Sequence, residues 1–444
     1  MLGSSTQFPR LDALTDYTHP SPDSPAPPPL PSLPAAMDVE GVCAQYSGRG
    51  LLERLVFACE KSEGVARTEI QRALLAAVKR ESRDVILYER VARGLPNESG
   101  LLSESEVEAG WIWVAATRSE NAVIKARLEG EIRAHSAGML RESLRVGHMQ
   151  LGTHLKECGL LSDALKAFGR ARDYCATPAA TRELCLAVVA VCIPLHLFNH
   201  AQSYILKAAA TPSQDQDDAV LQYATALVHL DARAYRKATL ALLLVPVTSP
   251  SAINHLVSPN DIAIYGVLLA LATLDRPALK TRAIDNPAFK HYLELEPPVR
   301  EALLAFYDAR YADCLRAIDS FRPALALDQN MAPHLDEIYA LIRKRALIHY
   351  FQPFTSVTMA SMAAALNTNS DNLESQIVSL IHSGDLNARL DKFKKVLYSK
   401  QINKRSRLFA NVTSMGIDYS RSLNMAIFRM KLVKAGIVVR DDKS

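Results

Sequence analysis

His196 and His200 stand four residues apart, a spacing that sets two imidazoles on one face of a helix. With a third ligand such a pair can bind zinc. The residues between them are Leu197, Phe198 and Asn199, so the glutamate that acts as general base in an H-E-x-x-H peptidase is missing. Two histidines that pack or face water on a helix fit the string better. The seven cysteines, Cys43, Cys59, Cys158, Cys175, Cys185, Cys192 and Cys314, are odd in number and include no C-x-x-C pair. That usage belongs to reduced thiols of a cytosolic or nuclear protein. Cys185 and Cys192 share a helix face at i, i+7 and read as core. No Walker loop, G-x-S-x-G elbow or G-x-G-x-x-G is present. The sequence therefore predicts no enzyme, with no catalytic residue, no metal site and no cofactor.

Charge is where the chain is uneven. Its 444 residues carry 51 Lys and Arg against 47 Asp and Glu, a net charge of only +4. From Ala388 to Ser444 there are 14 basic and 4 acidic residues, a local balance of +10, so the preceding 387 residues sum to −6. A basic segment is attached to a mildly acidic body. No run approaches the ~18–20 apolar residues of a membrane helix, and the N-terminus lacks the basic-then-apolar pattern of a secretory signal.

The elements that must position these groups are helical. Ala and Leu dominate and glycine is sparse, which favours helix over sheet. Residues 1–37 are the exception, a proline-rich stretch including Pro27-Pro28-Pro29 that reads as a disordered tail, or as a polyproline ligand. From Asp38 apolar residues recur at helical spacing, beginning with Leu51, Leu52, Leu55, Val56 and Cys59. One long helix is expected over 118–146. Leu151, Gly152, Leu155, Gly159, Ala164, Phe168 and Ala171 then follow the spacing of a tetratricopeptide unit. Ala201 and Ala238 repeat Ala164 at intervals of 37, and Ile205 and Ala208 repeat Phe168 and Ala171. A stack of helical pairs is expected over 38–250.

After a Ser/Pro/Asn-rich break, helices are expected over Ile262–Leu274, Pro277–Ile284, Pro298–Tyr307, 311–321 and Ala332–Phe351, with Pro353 as the stop. Helices over Ser356–Leu366 and Asn369–His382, with Asn369 or Ser370 as cap of the second, lead to alternation at Leu386, Ala388 and Leu390 and to Val396, Leu397 and Tyr398. Helix, helix and hairpin together predict a winged helix over about 354–402. Its second helix carries Asp371 and Glu374 and no Lys or Arg, a poor surface for reading DNA. The basic wing, Lys392, Lys394 and Lys395, and the run Lys404–Arg407 leave incidental nucleic-acid contact open. That run reads as a solvated helix start or, alternatively, as a nuclear signal. The last helix, about 404–435, places Leu408, Val412, Met415, Tyr419, Leu423, Ile427 and Met430 along one side. Such a stripe at the end of a chain needs a partner. Strand Val396–Ser399 is expected to be an open sheet edge.

A helical repeat stack that ends in a winged helix resembles the PCI family, the scaffold type shared by the proteasome lid, the signalosome and translation initiation factor three. The likeness rests on Ile264-Tyr265-Gly266 with Leu269–Arg276, on Tyr292–Pro297 with Val299-Arg300, and on Phe306-Tyr307 with Tyr311-Ala312 and Cys314-Leu315. It continues through Ala332-Pro333-His334, Arg343, Arg345–Ile348 with Tyr350-Phe351, and Met362–Ala364 with Asn367-Thr368 and Leu373-Glu374. The strings at Leu293–Pro297 and Arg345–Phe351 favour the signalosome branch, with the proteasome lid as the alternative. The resemblance implies a PCI domain over 251–402, a C-terminal helix and tail over 403–444, and a mainly α fold. It further implies a non-catalytic scaffold in a complex that removes a ubiquitin-like modifier from cullins by means of a zinc metalloprotease subunit. That protease chemistry calls for an H-x-H pair, and none of the 12 histidines forms one. Implied partners are other PCI and metalloprotease subunits, with cullin-RING ligases at one remove, in cytoplasm and nucleus. Neither membrane nor nucleic acid is an expected partner.

Overall fold

A computed structural model describes residues 39–62, 64–94, 104–211, 215–247, 254–368, 370–400 and 404–437. The proline-rich stretch 1–37 and the cap position Asn369 lie outside the described residues.

Four helices open the chain: α1 (Val39–Gln45), α2 (Gly48–Lys61), α3 (Gly64–Glu81) and α4 (Val85–Arg93). Leu51, Leu52, Leu55, Ile70, Leu74 and Val78 close a first core with Tyr88 of α4 and Val114 of the next helix. The Asp84 carboxylate caps α4 by accepting the Leu87 N–H at 2.9 Å. The helix expected over 118–146 is in fact two, α5 (Glu104–Ala137) and α6 (Arg141–Glu157). The chain turns at Gly138–Leu140, where Met139 sits at φ 52°. Apolar periodicity runs through this corner and outweighs the one stop signal there, Gly138.

Three antiparallel pairs follow: α6 with α7 (Leu161–Ala171), α8 (Pro178–Cys192) with α9 (Phe198–Ala209), and α10 (Asp215–Asp231) with α11 (Tyr235–Leu243). Ala164, Ala201 and Ala238, the residues spaced by 37, are fully buried on α7, α9 and α11. At Gly152 on α6 a Cβ would stand 2.5 Å from the Phe168 ring. The glycine lets the ring approach the α6 backbone closely. Leu151, Leu155, Phe168, Ala171, Ile205 and Ala208 join this second core.

A third core begins at α10 and continues to the winged helix. Its axis is α12 (Pro259–Thr273), buried almost throughout, with Ser258 as its cap. Gly266 repeats the Gly152 device, for a Cβ there would meet the Phe289 ring at 2.6 Å. Phe289 belongs to α13 (Pro287–Leu295), a helix absent from the sequence expectations and capped by Asn286. Then come α14 (Pro297–Tyr307), α15 (Tyr311–Ala326) and α16 (Leu335–Phe351), the last preceded by a 3-10 turn over Ala332–His334.

The winged helix consists of β1 (Ser356–Thr358), α17 (Met359–Leu366), α18 (Ser370–His382), β2 (Ala388–Asp391) and β3 (Val396–Ser399). The sequence pattern predicts Ser356–Thr358 as the first turn of a helix. It is a strand, and Thr358 caps the helix that follows. It pairs antiparallel with β3, Val357 opposite Leu397, so the sheet order is β1-β3-β2. The expectation that Val396–Ser399 is an open edge is thereby overturned: β3 is the central strand, with ladder partners on both sides. The long helix α19 (Lys404–Lys434) ends the described chain. Among the described residues no helix is long and apolar enough to cross a membrane.

Candidate assembly surfaces

The candidate partner residues separate into two sets. Leu397 is fully buried in the third core, and Val396 is half-buried. β1 and β2 pair with both backbone edges of their strand, so β3 itself cannot extend the sheet to a partner. Tyr398 is exposed. On α19, by contrast, Leu408, Val412, Met415, Tyr419, Leu423, Ile427 and Met430 are all exposed, from 44% at Leu423 to 71% at Met415. Every side chain described from Arg405 to Ile437 faces solvent except Leu432, which is half-buried. The stripe is only part of the exposed apolar surface of α19. Phe409, Ile417, Met425, Phe428 and Val433 are exposed as well, and Ile417, Met425 and Phe428 lie away from the stripe. The second half of α19 is therefore apolar on more than one side. Helices of that kind are found enclosed by others, not lying on a single surface. Lys404 opens α19, so the basic run Lys404–Arg407 belongs to the start of a helix.

The wing is the β2–β3 turn. The Asp391 carboxylate accepts the N–H groups of Phe393 and Lys394, each at 3.1 Å, and Lys392 pairs with Glu374 of α18 at 3.2 Å. An acidic side chain on the helix that would enter a DNA groove repels phosphate.

The histidines do not form a pair. His196 sits at φ 54° in the turn before α9, its Nε2 3.2 Å from Nε2 of Gln329, while His200 is on α9 with Nδ1 3.5 Å from Sγ of Cys192. The shared helix face is lost because α9 starts only at Phe198. Among the described residues no three His, Cys, Asp or Glu side chains gather where a metal could sit. Cys185 and Cys192 are core residues, and burial pushes the Cys192 thiol up to about 11.

One polar centre escaped the sequence entirely. Arg54 of α2 is buried and forms charge-assisted bonds to Asp261 of α12 and to Asp328, both at 2.9 Å. The Tyr46 hydroxyl donates to Asp261 and the Tyr265 hydroxyl to Asp328. The guanidinium also lies 4.3 Å from the centroid of the Tyr46 ring. Burial acts against the Arg54 charge, but Asp328 and Asp261 outweigh it and hold the cation firmly. Burial, with repulsion from Asp328, pushes the Asp261 carboxyl up to about 6 despite Arg54. Partners 207 and 274 residues apart leave no local signal, and only the family string around Tyr265 came near them. Further ties run the same way. Ser47 N–H donates to the Asn254 carbonyl and Arg83 N–H to the Glu157 carbonyl, both at 3.1 Å. The first helices thus fold back on α6 and α12 and lock the two ends of the helical body together. A cavity of about 270 Å³ remains at this junction, lined by Arg49, Glu53, Lys156 and Glu157 among others. Arg49 of this lining pairs with Glu53 on its own helix and with Asp84 at the cap of α4.

A repeat stack, a winged helix continuous with it and a long solvent-facing helix after it define a PCI-type fold. The PCI domain family matches residues 315–401, and the family described as 26S proteasome subunit RPN7 matches residues 112–282. COP9 signalosome complex subunit 1 of Arabidopsis thaliana is 33% identical over 401 residues, 90% of each chain. The protein of that name from Emericella nidulans is 30% identical over 91% of this chain and 83% of its own. The 26S proteasome non-ATPase regulatory subunit 6 of Oryza sativa is 25% identical over 34% of this chain and 39% of its own. The chain belongs to the COP9 signalosome complex subunit 1 family.

Proposed function

We propose that this protein is a non-catalytic scaffold subunit of a signalosome, the assembly that removes a ubiquitin-like modifier from cullins and so regulates cullin-RING ubiquitin ligases. The observation that carries the reading is α19, a 31-residue helix whose apolar side chains face solvent along its length. A lone helix is marginal in water and draws its stability from packing. This one makes sense when enclosed by helices of neighbouring subunits. The sheet contributes through its edge strands, with β2 rather than β3 offering unpaired backbone to a neighbouring chain. The protease chemistry would reside on another subunit. The protein would act in the cytoplasm and nucleus, where such ligases work.

Near-full-length similarity to signalosome subunits, against one third of the chain for the proteasome relative, supports the signalosome over the lid. Affinity purification of the tagged full chain, followed by mass spectrometry, tests this. Recovery of metalloprotease and PCI subunits of the signalosome is expected. Recovery of lid subunits in their place would transfer the protein to the proteasome.

A further inference from the structure

Phe393 is 97% exposed, the most exposed large apolar side chain among the described residues. It projects from the tip of the wing, in the turn Lys392–Lys395. Nothing in the turn calls for it. Turns favour Gly, Asn, Asp and Ser, and Lys395, at φ 50°, takes a backbone conformation that glycine or asparagine would hold with less strain. The tip is nonetheless held in place from three directions. Asp391 bonds the N–H groups of Phe393 and Lys394, Lys392 is tied to Glu374, and the Lys395 carbonyl accepts the Met359 N–H at 2.9 Å. The aromatic ring therefore stands on a base held by these bonds, with the exposed Lys394 and Lys395 next to it in the turn.

We propose that the wing tip is a docking anchor: Phe393 inserts into an apolar pocket on an adjacent protein subunit, and Lys394 and Lys395 meet an acidic rim around that pocket. A preformed turn spares most of the ordering entropy that a mobile loop would lose on binding. An aromatic side chain in a desolvated pocket is the usual centre of an interface, and the lysines match an acidic rim by charge. A nucleic acid fits less well. Single strands are bound by several stacking rings in a basic groove, whereas this tip has one ring, with Asp391 bonded to its backbone and Glu374 paired with Lys392. The proposal rests on the signalosome reading but concerns a surface separate from α19.

The test titrates the full-length chain against the remaining signalosome subunits assembled without it, at several salt concentrations. Phe393→Ala should weaken binding roughly 10- to 100-fold while leaving the unfolding midpoint of the free chain unchanged, since the ring packs on nothing. Lys394→Glu with Lys395→Glu should weaken binding and flatten its salt dependence. Wild-type affinity in both variants would overturn the anchor while leaving the signalosome reading intact. If the wild-type chain itself failed to bind, both would fall. Salt-dependent binding of a 20-nucleotide oligouridine, lost in Phe393→Ala alongside unchanged subunit affinity, would overturn the protein occupant in favour of RNA.

Discussion

At the scale of single residues, Arg54 holds the most leverage. It neutralises two buried carboxylates from distant parts of the chain, and both Tyr46 and Tyr265 complete their hydrogen bonding. Removing one partner of a buried ion pair leaves uncompensated charge at a cost of about 3–5 kcal/mol. Arg54→Met should therefore destabilise the chain by that order and release α1–α4 first. Denaturant titration with limited proteolysis checks both, and wild-type resistance would contradict the locking role. Asp261 adds a pH dependence. A carboxyl raised to about 6 binds its proton more tightly folded than unfolded. Its contribution is then complete below the unfolded value of ~3.9 and is lost as pH rises through about 6. Wild type should lose stability relative to Asp261→Asn as pH is raised from 4 to 7. Parallel stability curves would show that Asp261 does not titrate in this range.

At the scale of elements, the legible features were those carried by local spacing. The 37-residue recurrence of Ala164, Ala201 and Ala238 marked three helix pairs, and the alternation through Leu386–Leu390 and Val396–Tyr398 marked the hairpin. What stayed hidden depended on contacts or on backbone conformations that periodicity does not record. Apolar spacing continued through the Met139 corner and concealed a helix boundary. Ser356–Thr358 is too short to show alternation and becomes a strand only because β3 lies beside it, which moved Val396–Ser399 from edge to centre. The Arg54 cluster has no local pattern at all. Gly152 gives a direct check on the repeat packing. Gly152→Ala places a methyl into the Phe168 ring and should destabilise by about 1–3 kcal/mol, read by urea unfolding. No loss of stability would mean that α6 and α7 are not so closely apposed. Helix α19 invites the opposite expectation. Its amide hydrogens should exchange rapidly in the free chain and slowly in the assembled complex, because only enclosure by partners holds it firmly. Strong protection in the free chain would mean that the body already covers it.

At the scale of the whole molecule, the +10 segment and the −6 body have distinct places. Among the described residues the positive charge of this segment lies on the wing and along α19, around exposed apolar side chains. Charge of this kind steers association and keeps an apolar attachment helix soluble until it is buried. The rate of joining should fall as salt is raised, more steeply than the final affinity. On the proposed reading the chain attaches by α19 and folds without it. The most direct measurement of this compares the full chain with a version ending at Lys400, in co-purification with all other signalosome subunits and in thermal unfolding. The shortened chain should unfold at the same temperature as the full one and fail to enter the complex. Full recovery of every partner with the shortened chain would contradict the claim.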